Sequence, residues 1–149
     1  MTAVDLATLS GLELLRWAQG EGPADIPGIS QLLGMSFHEV EEGRVVVFLN
    51  VRPDFSNPLG AVHGGVIAAL LDTAMACAVH TTLPARVGYT TLELKVNFIR
   101  AVAPTSGKLT AEGTLIHAGR RVATAEGKIL NEEGKLIAHA TTTCMIFRP

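Results

Sequence analysis

Two features of the stretch 62–79 could do chemistry, and they stand eight residues apart. The first is His63-Gly64-Gly65, where a loop turns into a helix. Glycines there permit positive φ or the close approach of a ligand to the backbone. The first N–H groups of a helix lack intrahelical partners and point outward at the positive end of its dipole. A substrate oxygen gaining negative charge would be stabilised there by an oxyanion hole made of backbone. The second feature is Asp72, a lone carboxylate among apolar and small side chains. Taking it out of water unpaired costs several kcal/mol or forces it to hold a proton. Asp72 therefore has a partner, a route to water, or a chemical role. On a helix, eight residues rise about 12 Å, so Gly64 and Asp72 of one helix cannot touch one substrate atom. If both serve one site, a second copy of the chain supplies one of them.

The helix that must carry these groups is apolar all round. Val66, Ile67, Leu70, Leu71, Ala74, Met75, Ala78 and Val79 form one face by their i, i+3, i+4 spacing. Ala68, Ala69, Thr73, Ala76 and Cys77 form the other, small enough for other backbones to come close. Such a helix is buried, so a sheet must wrap it. Ahead of it, residues 4–19 read as a moderately amphipathic helix that ends at Gly20-Glu21-Gly22-Pro23, with a loop running on through Pro27 and a helical turn at Ile29 to Leu33. Met35–Val40 and Val45–Val51 flank Glu41-Glu42-Gly43-Arg44 as a hairpin. Arg52 to Gly60 reads as a loop. After the helix come four strands, at Tyr89–Val102, Lys108–His117, Val122–Leu130 and Leu136–Phe147, read as an antiparallel meander. In the first of them strict alternation puts Leu92, Leu94, Val96 and Phe98 on one face and Thr91, Glu93, Lys95 and Asn97 on the other. Strands of about ten residues, roughly 33 Å long, can curl lengthwise around a helix of about 26 Å. Self-association is the simplest cover for the sheet's edges and outer face.

Composition narrows the function classes. The 149 residues fit one domain with a substantial core, and the formal charge of −2 leaves no electrostatic footprint for nucleic acid. Cys77 and Cys144 lie in apolar runs and read as reduced core residues of a cytoplasmic protein. Nothing at the N-terminus reads as a signal peptide. The run 62–83 is apolar, yet His63, two glycines and the central Asp72 speak against a membrane span. His38, His80, His117 and His139 share no ligand spacing, so no metal is expected.

Asn57-Pro58-Leu59-Gly60-Ala61-Val62-His63-Gly64-Gly65, with Asp72 after six intervening residues and a strand Thr-Leu-Glu-Leu-Lys-Val-Asn-Phe at 91–98, resembles the hotdog-fold acyl-CoA thioesterases. The resemblance covers roughly residues 30–147 and points to the phenylacetate-pathway (PaaI-like) and 4-hydroxybenzoyl-CoA branch. It implies an α+β hotdog fold, a long antiparallel sheet around one buried helix, over 29–149, with 1–28 as an N-terminal helical extension. It implies an obligate homodimer, with a homotetramer expected, acting on acyl-CoA without a cofactor, the CoA being part of the substrate. Asp72 matches the catalytic carboxylate, nucleophile or general base, and Gly64 the backbone N–H that polarises the thioester carbonyl from the facing subunit. Asn57 matches a side chain that places the carbonyl or the water, and Thr91 a hydroxyl that positions that water. Other relatives carry a hydroxyl one turn after the carboxylate; here that place is Ala76, so the chain follows the first subgroup. The turn Gly119-Arg120-Arg121 is similar to a place where relatives hold CoA phosphates.

Each of these residues also has a plainer reading. Asp72 could be bonded to Thr73, to backbone or to a partner chain. Gly64 and Gly65 could simply turn the loop into the helix, and His63 could cap the helix or brace the loop. Asn57 could be a turn residue before Pro58, Thr91 an ordinary strand former, Arg120 and Arg121 a solvated turn. Two rival functions follow from the same pattern. One is an acyl-CoA binder or sensor that never turns over, against which Asp72 speaks as a poor neighbour for an anionic ligand. The other is a hotdog hydratase or dehydratase using His63 with Asp72, for which the spacing fits less well.

Overall fold

A computed structural model describes residues 4–20 and 27–149. Its regular elements are α1 (Gly11–Gly20), α2 (Ile29–Leu33), β1 (Met35–Glu41), β2 (Arg44–Asn50), α3 (Gly64–His80), β3 (Gly88–Phe98), β4 (Lys108–Ala118), β5 (Val122–Leu130) and β6 (Leu136–Phe147). The strands form one antiparallel sheet in the order β1-β2-β4-β5-β6-β3, with α3 packed across β2, β4, β5, β6 and β3. This is the hotdog fold of class α+β. Leu70, Leu71, Ala74, Met75, Ala78 and Val79 of α3 are fully buried, as their periodicity predicts.

Three expectations need correction. Residues 4–19 are not one helix. Asp5 caps a 3₁₀ turn at Leu6–Thr8, and α1 starts afresh at Gly11. A capping box causes the restart: the Ser10 N–H donates to Glu13 (2.8 Å) and the Glu13 N–H to the Ser10 hydroxyl (3.3 Å). The loop expected after Gly20 falls largely on 21–26, outside the described residues. Next, the meander holds only for β4-β5-β6. Strand β3 lies at the far edge beside β6, and residues 99–107 cross the end of the sheet to reach β4. Finally, β3 ends at Phe98, not Val102. The N–H groups of Ile99 and Arg100 both donate to the Ile137 carbonyl, which bends the chain, and the Val102 carbonyl accepts from Val62 at the approach to α3.

The depth of α3 is set by two glycines that face each other across β4 and β5. Gly113 pairs with Gly127, and both lie directly under the helix. A Cβ on Gly113 would collide with the Ala74 carbonyl, and one on Gly127 would come 2.7 Å from Met75 Cγ. The backbone of the sheet therefore touches the backbone of the helix two residues beyond Asp72. Gly113→Ala is expected to cost about 3 kcal/mol through overpacking. The melting temperature should then fall by roughly 6–12 °C, at about 2–4 °C per kcal/mol for a chain of this size. An unchanged melting curve would mean that the glycine pair does not seat the helix.

The two edges of the sheet differ. Along β1, Arg16 Nε of α1 donates to the Val40 carbonyl (3.2 Å) and Gln19 Nε2 to the His38 carbonyl (2.8 Å). Side chains thus occupy that edge, whereas β3 has no such cover among the described residues. Among those residues, no helix is long and apolar enough to cross a membrane.

Candidate active site

His63 is the N-cap of α3: its Nδ1 accepts the Gly65 N–H at 2.8 Å. The Val66 N–H donates to the His63 carbonyl (2.9 Å). That leaves the N–H of Gly64 as the one in this first turn with no acceptor among the described residues. The preceding loop is closed on itself, with the Asn57 N–H donating to the Ala61 carbonyl (2.7 Å) and the His63 N–H to the Phe55 carbonyl (2.7 Å). The side-chain oxygen of Asn57 accepts from the Leu59 and Ala61 N–H groups (2.9 and 3.1 Å). Only its NH₂ remains to meet a ligand. Asn57 and Gly64 line a cleft of about 290 Å³ together with Phe98, Ile99, Arg100 and Val102.

Asp72 lines a different cleft, of about 370 Å³, with Ser30, Thr73, Ala76, Cys77, Tyr89, Thr90 and Thr91. The two clefts share no lining residue. Asp72 is half-buried, and its partner is Thr91, whose hydroxyl donates to Oδ1 at 2.8 Å. Thr73 is turned instead to the Ala69 carbonyl (2.9 Å). No group among the described residues engages Oδ2, so one carboxylate oxygen is held and the other faces the cleft.

Strict alternation puts Thr91 on the face shared with Glu93 and Lys95. The structure places it otherwise because of a β-bulge: Thr91 pairs with Cys144 and Glu93 with Thr143, which leaves Leu92 unpaired and 53% exposed. The extra residue resets the alternation, so Tyr89 and Thr91 join Leu94 and Val96 on the side toward α3. The bulge re-aims the Thr91 hydroxyl at Asp72.

Cys77, read from the sequence only as a reduced core residue, and Tyr89, which the sequence did not single out, help to line this cleft. A thiol there is a potential competing nucleophile. Burial, reinforced by the Asp72 carboxylate, pushes the Cys77 thiol up to about 12, so it stays protonated and inert near neutral pH. The Tyr89 phenol is likewise pushed well above its ordinary range by burial and bonds to Cys77. The signal for Tyr89 was its position two residues before Thr91 on the same strand face.

Arg120 and Arg121 line neither cleft. Both are exposed in the β4–β5 turn, where their carbonyls accept from Arg148 (3.1 Å) and Ile146 (2.9 Å). Neither guanidinium is in an ion pair among the described residues. Val122, next to Arg121, lies in one row with Met145 and Thr90, so this turn is two strands, about 10 Å, from the rim of the Asp72 cleft. A further hollow of about 400 Å³ on the outer face of the sheet is lined by charges that already pair, Arg44 with Glu39 and Glu112.

Comparison with known proteins agrees with this architecture. A family model described as the thioesterase superfamily matches residues 59–138. A protein of Saccharolobus solfataricus named as an esterase is 31% identical over 120 residues, 80% of this chain and 84% of that one. The medium/long-chain acyl-CoA thioesterase YigI of Escherichia coli K12 is 37% identical over 101 residues, 57% of this chain and 62% of its own. Among solved structures, a phenylacetic acid degradation-related protein of Ralstonia eutropha JMP134 superposes with a TM-score of 0.79 at 32% identity, covering 92% of this chain and 99% of that one.

Proposed function

The chain belongs to the thioesterase superfamily, a family of thioester hydrolases, and from that premise we propose that it hydrolyses acyl-CoA to the free acid and CoA at a site shared by two subunits. One observation carries the reading. A carboxylate fixed by a hydroxyl stands on an open cleft, and an unshared N–H opens the same helix about 12 Å away.

In this reading the Gly64 N–H and the helix dipole receive the carbonyl oxygen as it becomes an oxyanion. Asp72 Oδ2 either attacks the carbonyl carbon, giving a mixed anhydride that water opens, or takes the proton of an attacking water. The CoA thiolate leaves unaided, because a thiol of pKa about 8.5 is a good leaving group. Thr91 orients the carboxylate, and the Asn57 NH₂ assists at the carbonyl. Gly65 contributes through the His63 cap, since its own N–H is already bonded. Arg120 and Arg121 are the cations proposed for the CoA phosphates.

The open edge at β3 supports the two-subunit arrangement. If two copies pair there antiparallel about a two-fold axis, the Thr91 end of one strand lies against the Phe98 end of the other. Asp72 sits at the first end and Gly64 at the second, so each carboxylate approaches the neighbour's N–H. A dimer completes both sites, and the homotetramer expected from the resemblance would be a dimer of such dimers. Two free, buried cysteines are in keeping with a cytoplasmic setting.

The test is thiol release from a panel of aryl- and alkyl-acyl-CoAs, run beside a solution mass measurement. Steady turnover by a particle of at least twice 15.7 kDa is expected. Tight acyl-CoA binding without thiol release would instead identify a sensor.

A further inference from the structure

We propose that α2 walls the acyl half of this site and that Ser30 sets which acyl groups enter; the inference rests on the thioesterase reading. Among the described residues, Asp72 is the single charged residue lining its cleft, and no lysine or arginine lines it. The CoA moiety, with several negative charges, is repelled from a carboxylate that has no cation beside it. The acyl group is what enters here, and an uncharged one is favoured over one ending in a carboxylate. Ala76, one turn after Asp72, keeps one wall low, and Tyr89 with Cys77 forms another.

The remaining wall is Ser30, from a segment that precedes the residues matched by the family model. Helix α2 is closed and anchored at its C-terminal end. The N–H of Gly34, left-handed at φ 76°, closes its end on the carbonyls of Gln31 and Ser30, and the Arg52 guanidinium reaches the Leu32 carbonyl at 3.4 Å. The Ser30 side chain is half-buried, and its hydroxyl has no partner among the described residues. A larger side chain at position 30 therefore intrudes on the cleft, while the Thr91–Asp72 hydrogen bond itself does not involve Ser30.

The experiment measures kcat/KM of the full chain and of Ser30→Leu and Ser30→Phe with acetyl-, hexanoyl-, benzoyl- and succinyl-CoA. The unsubstituted protein should favour hexanoyl or benzoyl over succinyl. Each enlargement should lower hexanoyl and benzoyl turnover by about tenfold or more, the scale on which a pocket reads a few carbon atoms, while acetyl stays within about threefold. Melting curves report whether each variant is folded, and the Leu variant carries the comparison if the Phe variant melts early. If all substrates fall together, or none falls, while the unsubstituted chain releases thiol, the role of Ser30 is refuted and the thioesterase reading stands. If the unsubstituted chain releases no thiol from any substrate, the reading fails and takes this inference with it.

Discussion

Asp72→Asn is expected to lower kcat by about 10²–10⁴-fold, the range that a positioned acid–base group contributes. That corresponds to roughly 3–5 kcal/mol of transition-state stabilisation. The substitution keeps the shape of the side chain and leaves an oxygen to accept the Thr91 hydroxyl, which now lies 2.8 Å from Oδ1. What it removes is the charge on Oδ2, and with it both the nucleophile and the base. KM should change far less than kcat, because the group acts on the reacting carbon and not on the CoA handle. Stability should hold, since a half-buried carboxylate with one hydrogen bond gives way to a neutral amide of equal size. Cys77 cannot substitute for the lost group, its thiol being held up to about 12. A variant that keeps its melting temperature and its full rate would remove Asp72 from the chemistry.

Much of this site was legible because its signals are local. A helix apolar on every side must be wrapped, and one carboxylate within it stands out against that background; both follow from a single window of the chain. The bounds of α2, β5 and β6 were readable for the same reason, with the turns at 118–120 and 131–134 as punctuation around the strands. The rest depended on partners distant in sequence. Alternation assumes that each residue opposes one other, so it could not foresee the bulge at Leu92 that swings Thr91 to Asp72. The Gly113–Gly127 pair is invisible until β4 and β5 are in register. The position of β3 beside β6 depends on where residues 99–107 cross, a choice that no local pattern encodes. The break before α1 is different: Ser10 and Glu13 spell a capping box, and the apolar count over 4–19 simply outweighed it.

Gly64→Pro tests the other half of the site, and it does so by deleting one hydrogen. With His63 as cap, Gly64 is the first residue of α3, the helical position that proline occupies best because its N–H has no intrahelical acceptor. His63 is already extended at ψ 133°, as a residue before proline must be. Among the described residues, the three atoms nearest a new Cβ all belong to the Phe98 ring, the closest at 3.3 Å, and that ring is 57% exposed. The fold should therefore survive, while kcat falls by about 10²–10³-fold, the usual loss on removing one oxyanion donor. Gly64→Ala crowds the same ring but keeps the N–H, so it should retain activity within about tenfold of the parent. Mixing then decides whether the site is shared. When Gly64→Pro and Asp72→Asn chains are co-expressed, random pairing makes about half of the dimers mixed, and each mixed dimer holds one intact site of two. About a quarter of the parent rate should return from two chains that are each nearly inactive. A site contained in one chain would return only the sum of the two residual rates, because no chain in the mixture carries both groups.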